Sequence, residues 1–114
     1  MSRSTEGVVN WMHFFRWIVK LIRDEYGIDE TLLVRTALLE EECGLNTEQV
    51  EEVVSEIATS FGVVFPEDVL NEIVRLEELC MLAAWLHGLY KRPPFLSDNF
   101  AARCMAANAR AAAA

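Results

Sequence analysis

The chain has 114 residues, 53% of them hydrophobic and 25% charged, with 10 basic against 18 acidic side chains and a net charge of −8. That length makes one domain able to bury roughly two thirds of its unfolded surface, and the apolar content excludes global disorder. The deficit of Lys and Arg excludes phosphate neutralisation, so no nucleic-acid partner is expected.

The first element predicted is a helix capped by Ser4 or Thr5 and running to about Tyr26, where Gly27 ends it. Trp11, Phe14, Ile18, Leu21 and Ile22 form one apolar stripe, and Val8, Met12, Phe15 and Val19 form a second beside it. With Trp17 the apolar arc exceeds the ~100° of an ordinary surface helix. A helix this apolar is covered on two sides, within the chain or by a second copy. Met12, Phe15 and Val19 are the residues assigned to self-association, and a homodimer is the corresponding partner.

Ile28 to Leu45 reads as a long connection with a helical turn near Glu30 to Val34 and apolar anchors at Leu32, Leu33, Val34, Leu38 and Leu39. The second helix has a strong start: Asn46 as N-cap, Gln49 completing a capping box, and Leu45 with Val50 as a hydrophobic staple. Val50, Val53, Val54, Ile57 and Phe61 share one face, and Gly62 closes the helix. Pro66 suits the first turn of a short third helix through about Ile73. A fourth is predicted from about Leu76 to Leu89, with Leu79, Leu82, Ala83 and Leu86 for the core and Trp85 and Tyr90 as anchors. Pro93-Pro94 stops what precedes it. Beyond it, Asp98 is placed as the cap of a helix over Phe100 to Arg110, with Phe100 and Met105 its only large apolar residues and Ala111 to Ala114 a low-complexity end.

Charge is unevenly placed. Residues 1–36 balance at five basic and five acidic, residues 37–78 hold twelve acidic against Arg75 alone, and residues 79–114 hold four basic and one acidic. An acidic block is either a solvated helix face or a docking surface for a basic partner; charge by itself leaves both open. Cys43, Cys80 and Cys104 are odd in number and widely spaced, which reads as reduced thiols of a cytoplasmic protein. Val8 to Ile22, broken by Arg16 and Lys20, and Leu79 to Tyr90 are shorter than the ~20 residues of a membrane span. His13 and His87 lack partners at metal-ligand spacing, and Glu40-Glu41-Glu42 reads as a solvated turn, so no metal is expected. No nucleophile–base arrangement or phosphate loop is present, and no enzymatic activity is expected.

From Gly27 to Pro66 the spacing resembles the acyl carrier protein family without a gap. Gly27, Ala37, Glu41, Glu42, Gly44, Phe61 and Pro66 fall where bacterial carriers have the same or a similar residue. The Glu-Glu-Cys-Gly-Leu-Asn-Thr run ending at Thr47 matches their Glu-Asp-Leu-Gly-x-Asp-Ser, and Ile73, Leu76, Leu79 and Ala83 continue the core pattern. The resemblance covers about residues 14–85. It implies an all-α four-helix acyl-carrier-like bundle over residues 1–92, with an extended first helix and an Ala-rich C-terminal extension over residues 93–114.

The departures fall on the attachment site. Thr47 stands where the family has the serine that carries phosphopantetheine, Asn46 replaces its aspartate, and Glu48 stands where a leucine usually follows. The extra methyl of threonine hinders Oγ and restricts χ1, and transfer from coenzyme A tolerates little misplacement. The expectation is therefore a carrier-like protein without phosphopantetheine. It would dock its second helix, through Asn46, Glu48, Glu51, Glu52, Ser55 and Glu56, on a basic partner such as an acyl-chain enzyme of fatty-acid, lipid or polyketide metabolism. The alternatives are a working carrier modified on Thr47, with phosphopantetheine as cofactor, and a self-associating structural or regulatory helical module.

Overall fold

The computed structural model describes residues 3–113, with side chains described from Trp11 onward. Among them it is all-helical: α1 (Arg3–Tyr26), α2 (Thr47–Phe61), α3 (Leu76–Leu86) and α4 (Asp98–Ala113). Leu76, Leu79, Cys80, Leu82, Ala83 and Ala84 of α3 are all buried, so apolar side chains leave that helix in several directions. A short helix of this kind is stable only in the middle of a core. It packs chiefly against α1 and also against α4, while α1 packs more lightly on α2.

The apolar arc of α1 is used inside the chain. Trp11, Phe14, Ile18, Val19 and Ile22 are buried, with Met12, Phe15, Trp17 and Leu21 half-buried against them. Ser4 and Thr5, expected as caps, fall within the helix rather than before it. Their side chains, like that of Val8, lie outside the described residues.

The connection after α1 is ordered by hydrogen bonds rather than by regular structure. Asp29 caps a 3₁₀ turn at Glu30–Leu32 by accepting from Thr31 N–H. Leu33 and Leu39 enter the core as expected, but Leu32 and Val34 are 50% and 51% exposed and anchor nothing there. A 3₁₀ turn offsets successive residues by about a third of a turn, so the flanks of Leu33 cannot share its direction. Farther on, residues 35–39 pair with residues 74–77. Leu39 N–H donates to Val74 C=O at 2.9 Å, Leu76 N–H to Ala37 C=O at 2.9 Å and Glu77 N–H to Arg35 C=O at 2.8 Å, around an antiparallel bridge of Leu38 with Arg75.

This pairing corrects the expected third helix. Pro66 does begin a turn, accepting from Val69 N–H at 3.1 Å, but only a 3₁₀ turn at Val69–Asn71 forms. Val74 and Arg75 must be extended to meet the loop, so no α-helix can run through Ile73. Nor does the helix after it reach Leu89 or wait for Pro93-Pro94. It ends at Leu86 because Gly88 takes φ +87, letting Leu89 N–H reach Ala84 C=O at 2.9 Å and Gly88 N–H reach Trp85 C=O at 2.9 Å. Those two hydrogen bonds satisfy carbonyls of the last turn, and the left-handed residue they need favours glycine.

The fourth helix of the bundle is thus the C-terminal one. Its cap is Ser97, whose Oγ accepts from Phe100 N–H at 3.2 Å, while Asp98 sits in the first turn and takes Arg92 at 2.6 Å. α4 is fastened to the segment before the 3₁₀ turn. Asn108 exchanges two bonds with the backbone of Val64, both 2.9 Å, and Arg103 grips both carboxylate oxygens of Asp68 at 2.8 and 2.9 Å. Phe100 and Cys104 join the common core, whereas Met105 is 62% exposed. Phe100→Ala is expected to lower stability by about 3–5 kcal/mol, and Met105→Ala by less than about 0.5 kcal/mol, in urea unfolding. Equal effects would show that α4 does not share the core.

Candidate docking face and the Thr47 position

α2 starts as its sequence dictates. The Asn46 side chain accepts from Gln49 N–H at 2.8 Å, Gln49 Oε1 accepts from Asn46 N–H at 3.0 Å, and Leu45 and Val50 are both buried beneath them. Two orphan donors of the helix start are satisfied and the entry angle is fixed. Thr47 is the first helical residue and is exposed.

Thr47 does not stand alone. Its Oγ1 donates to Glu40 Oε2 at 3.4 Å. Glu40 is carried by a turn in which Leu38 C=O accepts from Glu42 N–H at 3.0 Å and Cys43 N–H at 2.9 Å, while the Glu42 carboxylate accepts from Leu38 N–H at 2.8 Å. The loop pairing with residues 74–77 holds that turn in place. Of the three adjacent glutamates, Glu42 closes the turn and Glu40 faces the hydroxyl.

The outward face of α2 carries two rows at four-residue spacing. Thr47, Glu51 and Ser55 form one, Glu48, Glu52 and Glu56 the other, and all six are exposed. Successive carboxylates of the second row repel at i,i+4, each pair destabilising the helix by roughly 0.2–0.5 kcal/mol. Glu48 benefits from the helix dipole, but Glu56 lies toward its unfavourable end. Among the described residues Glu48, Glu51 and Glu56 form no ion pair. Glu52 is held instead by Tyr26, whose hydroxyl donates to Glu52 Oε1 at 2.7 Å.

Two clefts flank the helix. One, of about 220 Å³, lies between the Glu51–Ser55 row and residues 65–70 and is floored by Val54, Ala58, Val69 and Leu70. The other, of about 370 Å³, lies beside Glu40 and is lined by Leu38, Leu39, Glu41, Val50, Leu70, Ile73 and Val74. A third, of about 430 Å³, is at the far end between His13, Phe14, Trp17, Phe61, His87 and Leu89. There His87 Nδ1 is 3.2 Å from Phe61 C=O, and its ring meets Phe14 and Phe61 edge-on at 5.7 and 5.5 Å.

Of the expected docking residues, Glu48, Glu51, Glu52, Ser55 and Glu56 share the outward face of α2, whereas the Asn46 side chain is taken up by the cap; the expected self-association set is divided. Met12 and Phe15 are half-buried, while Val19 is 8% exposed within the chain's own core and is not available to a second copy. Cys43, Cys80 and Cys104 are all buried free thiols. Burial pushes each thiol's pKa up, that of Cys104 to about 11, which removes them as nucleophiles at neutral pH. Among the described residues no group of three or more His, Cys, Asp or Glu converges to hold a metal, and no helix is long and apolar enough to cross a membrane.

Sequence reasoning missed Tyr26, Glu40 and Arg75. Tyr26 was visible only as the last residue before Gly27, and nothing local pairs it with Glu52. Arg75, alone in the acidic block, donates to Thr36 C=O at 2.6 Å across the loop pairing, a contact that no spacing rule reveals. No protein-family model matches this chain, and no curated protein matches it.

Tyr26 gives the face a titrating reporter. Burial, then the hydrogen bond to Glu52 and the charges of Glu52, Glu25 and Glu56, push its phenol from the usual 10.0 up to about 12. A folded-state value above the unfolded one means that the neutral phenol contributes stability present below pH 10 and lost as pH rises through about 12. In a Tyr90→Phe background, the phenolate absorbance of Tyr26 should titrate near 12 and move back toward 10 in Glu52→Gln. No movement would detach Glu52 from Tyr26.

Proposed function

We propose that this protein is an acyl-carrier-like docking module that does not carry phosphopantetheine and that engages a basic protein, of the acyl-chain-processing kind, through the outward face of α2. The supporting observation is the state of Thr47 on that face: exposed, at the helix start, with its hydroxyl bonded to Glu40 and with Glu48 and Glu51 beside it along the helix.

That arrangement surrounds the hydroxyl with negative charge, which supports a reading without the arm. Attachment of the arm requires the hydroxyl oxygen to attack a phosphorus of the coenzyme A diphosphate. Here the approaching anion meets carboxylates at Glu40, Glu48 and Glu51, and each unit-charge repulsion is worth about 1 kcal/mol at 4 Å in water. The Thr47 methyl adds crowding on the line of attack. For a basic partner the same charges are attractive. They raise the encounter rate and reject acidic surfaces, and they are available because no cation of the chain neutralises Glu48, Glu51 or Glu56 among the described residues.

An oligoarginine peptide followed by fluorescence anisotropy measures this face. Affinity should fall with salt, and the triple reversal Glu48→Lys, Glu51→Lys, Glu56→Lys should weaken binding by at least about tenfold. A control with the same change in charge, Glu25→Lys, Glu41→Lys, Asp98→Lys, should weaken it by less than about threefold. Equal losses would mean that net charge alone attracts the peptide, and the docking face would be withdrawn.

A further inference from the structure

The cleft between α2 and residues 65–70 combines an apolar floor with two exposed carboxylates. Its floor is apolar, made by Val54 and Ala58 of α2 with Val69 and Leu70, while Glu51 and Glu67 stand at its edge. At about 220 Å³ it is smaller than the roughly 300–1,000 Å³ of small-molecule sites. Neither Glu51 nor Glu67 has an ion-pair partner among the described residues.

Its outer lip is held from behind. The Asn108 side chain bonds the backbone of Val64 twice, at 2.9 Å each, and Arg103 grips Asp68 at 2.8 and 2.9 Å. These clamps lie on either side of residues 65–67 and tie that segment to α4. The cleft is therefore open before anything binds, and an occupant need not order it.

We infer that this cleft is a socket for one arginine side chain of the docked partner, its aliphatic stem on the Val54–Ala58–Leu70 floor and its guanidinium between Glu51 and Glu67. A long basic side chain is the residue type that buries an apolar stem while keeping its charge at a polar rim. Arginine suits the rim better than lysine, because its planar, weakly hydrated head reaches two carboxylates at once. The inference rests on the docking reading above and names the side chain that would read that face.

The test uses n-butylguanidinium as stem plus head and guanidinium as head alone. Each is titrated at constant ionic strength into the isotope-labelled chain, with amide shifts followed by NMR. Butylguanidinium should shift the amides of Val54, Ser55, Ala58 and Leu70 saturably, and guanidinium should bind about tenfold more weakly, as two buried methylenes imply. Glu67→Gln should weaken butylguanidinium about twofold to fivefold. Ala58→Leu, which fills the floor with a good helix former, should abolish the shifts while leaving the helical circular dichroism unchanged. Equal binding of the two probes, or shifts centred on Glu48 and Glu56, would overturn the socket. Oligoarginine separates the levels. Binding along the Glu48–Glu52–Glu56 row with the cleft amides unmoved removes the socket and keeps the docking face, and no binding at low salt removes both.

Discussion

The short pairing of residues 35–39 with residues 74–77 is the constraint on which the rest of the molecule depends. Three backbone bonds and the reach of Arg75 to Thr36 C=O close a loop of nearly forty residues around α2. Glu78 reinforces the closure, since its Oε1 accepts from Val74 N–H at 2.7 Å and Arg75 N–H at 3.0 Å, which also caps α3. By drawing Val74 and Arg75 into an extended stretch, the pairing reduces the helix expected after Pro66 to one 3₁₀ turn. It also fixes the turn that carries Glu40, and with it the surroundings of Thr47.

Two consequences meet on α2. On one side the pinned loop brings a carboxylate to the Thr47 hydroxyl. On the other, the segment leading into the 3₁₀ turn at Val69–Asn71 borders the cleft beside Glu51. The C-terminal helix completes the arrangement by burying Phe100 in the common core and clamping Val64 and Asp68. The acidic face is thus backed by a rigid support, although its own charges repel one another. A helix optimised only for stability would place cations among Glu48, Glu52 and Glu56. Their absence is a second physical reason to read the face as directed at a partner.

Much of the helical architecture was legible in the sequence because local rules govern it. The capping box at Asn46 and Gln49, the buried face Val50–Val53–Val54–Ile57 and the glycine stops at Gly27 and Gly62 each depend on residues within a few positions. What the sequence hid is non-local. Nothing near Pro66 announces that Val74 will pair with Leu39, so its good start predicts a helix that tertiary pairing forbids. The Ala-rich tail reads as an addition because Phe100 and Met105 are little bulk, yet Phe100 lies wholly inside the core. The exposed positions Glu48, Glu51, Glu52, Ser55 and Glu56 were recoverable from helical spacing, whereas Glu40 and Tyr26 reach that face from other parts of the chain.

The question that decides between docking and carrying is whether Thr47 accepts the arm. Incubation of the full chain with coenzyme A and a promiscuous phosphopantetheinyl transferase, beside an ordinary carrier that loads fully under the same conditions, answers it by intact mass. The expected result is an unchanged mass for this chain. A gain of one phosphopantetheine that disappears in Thr47→Ala would contradict the docking reading and make the protein a working carrier.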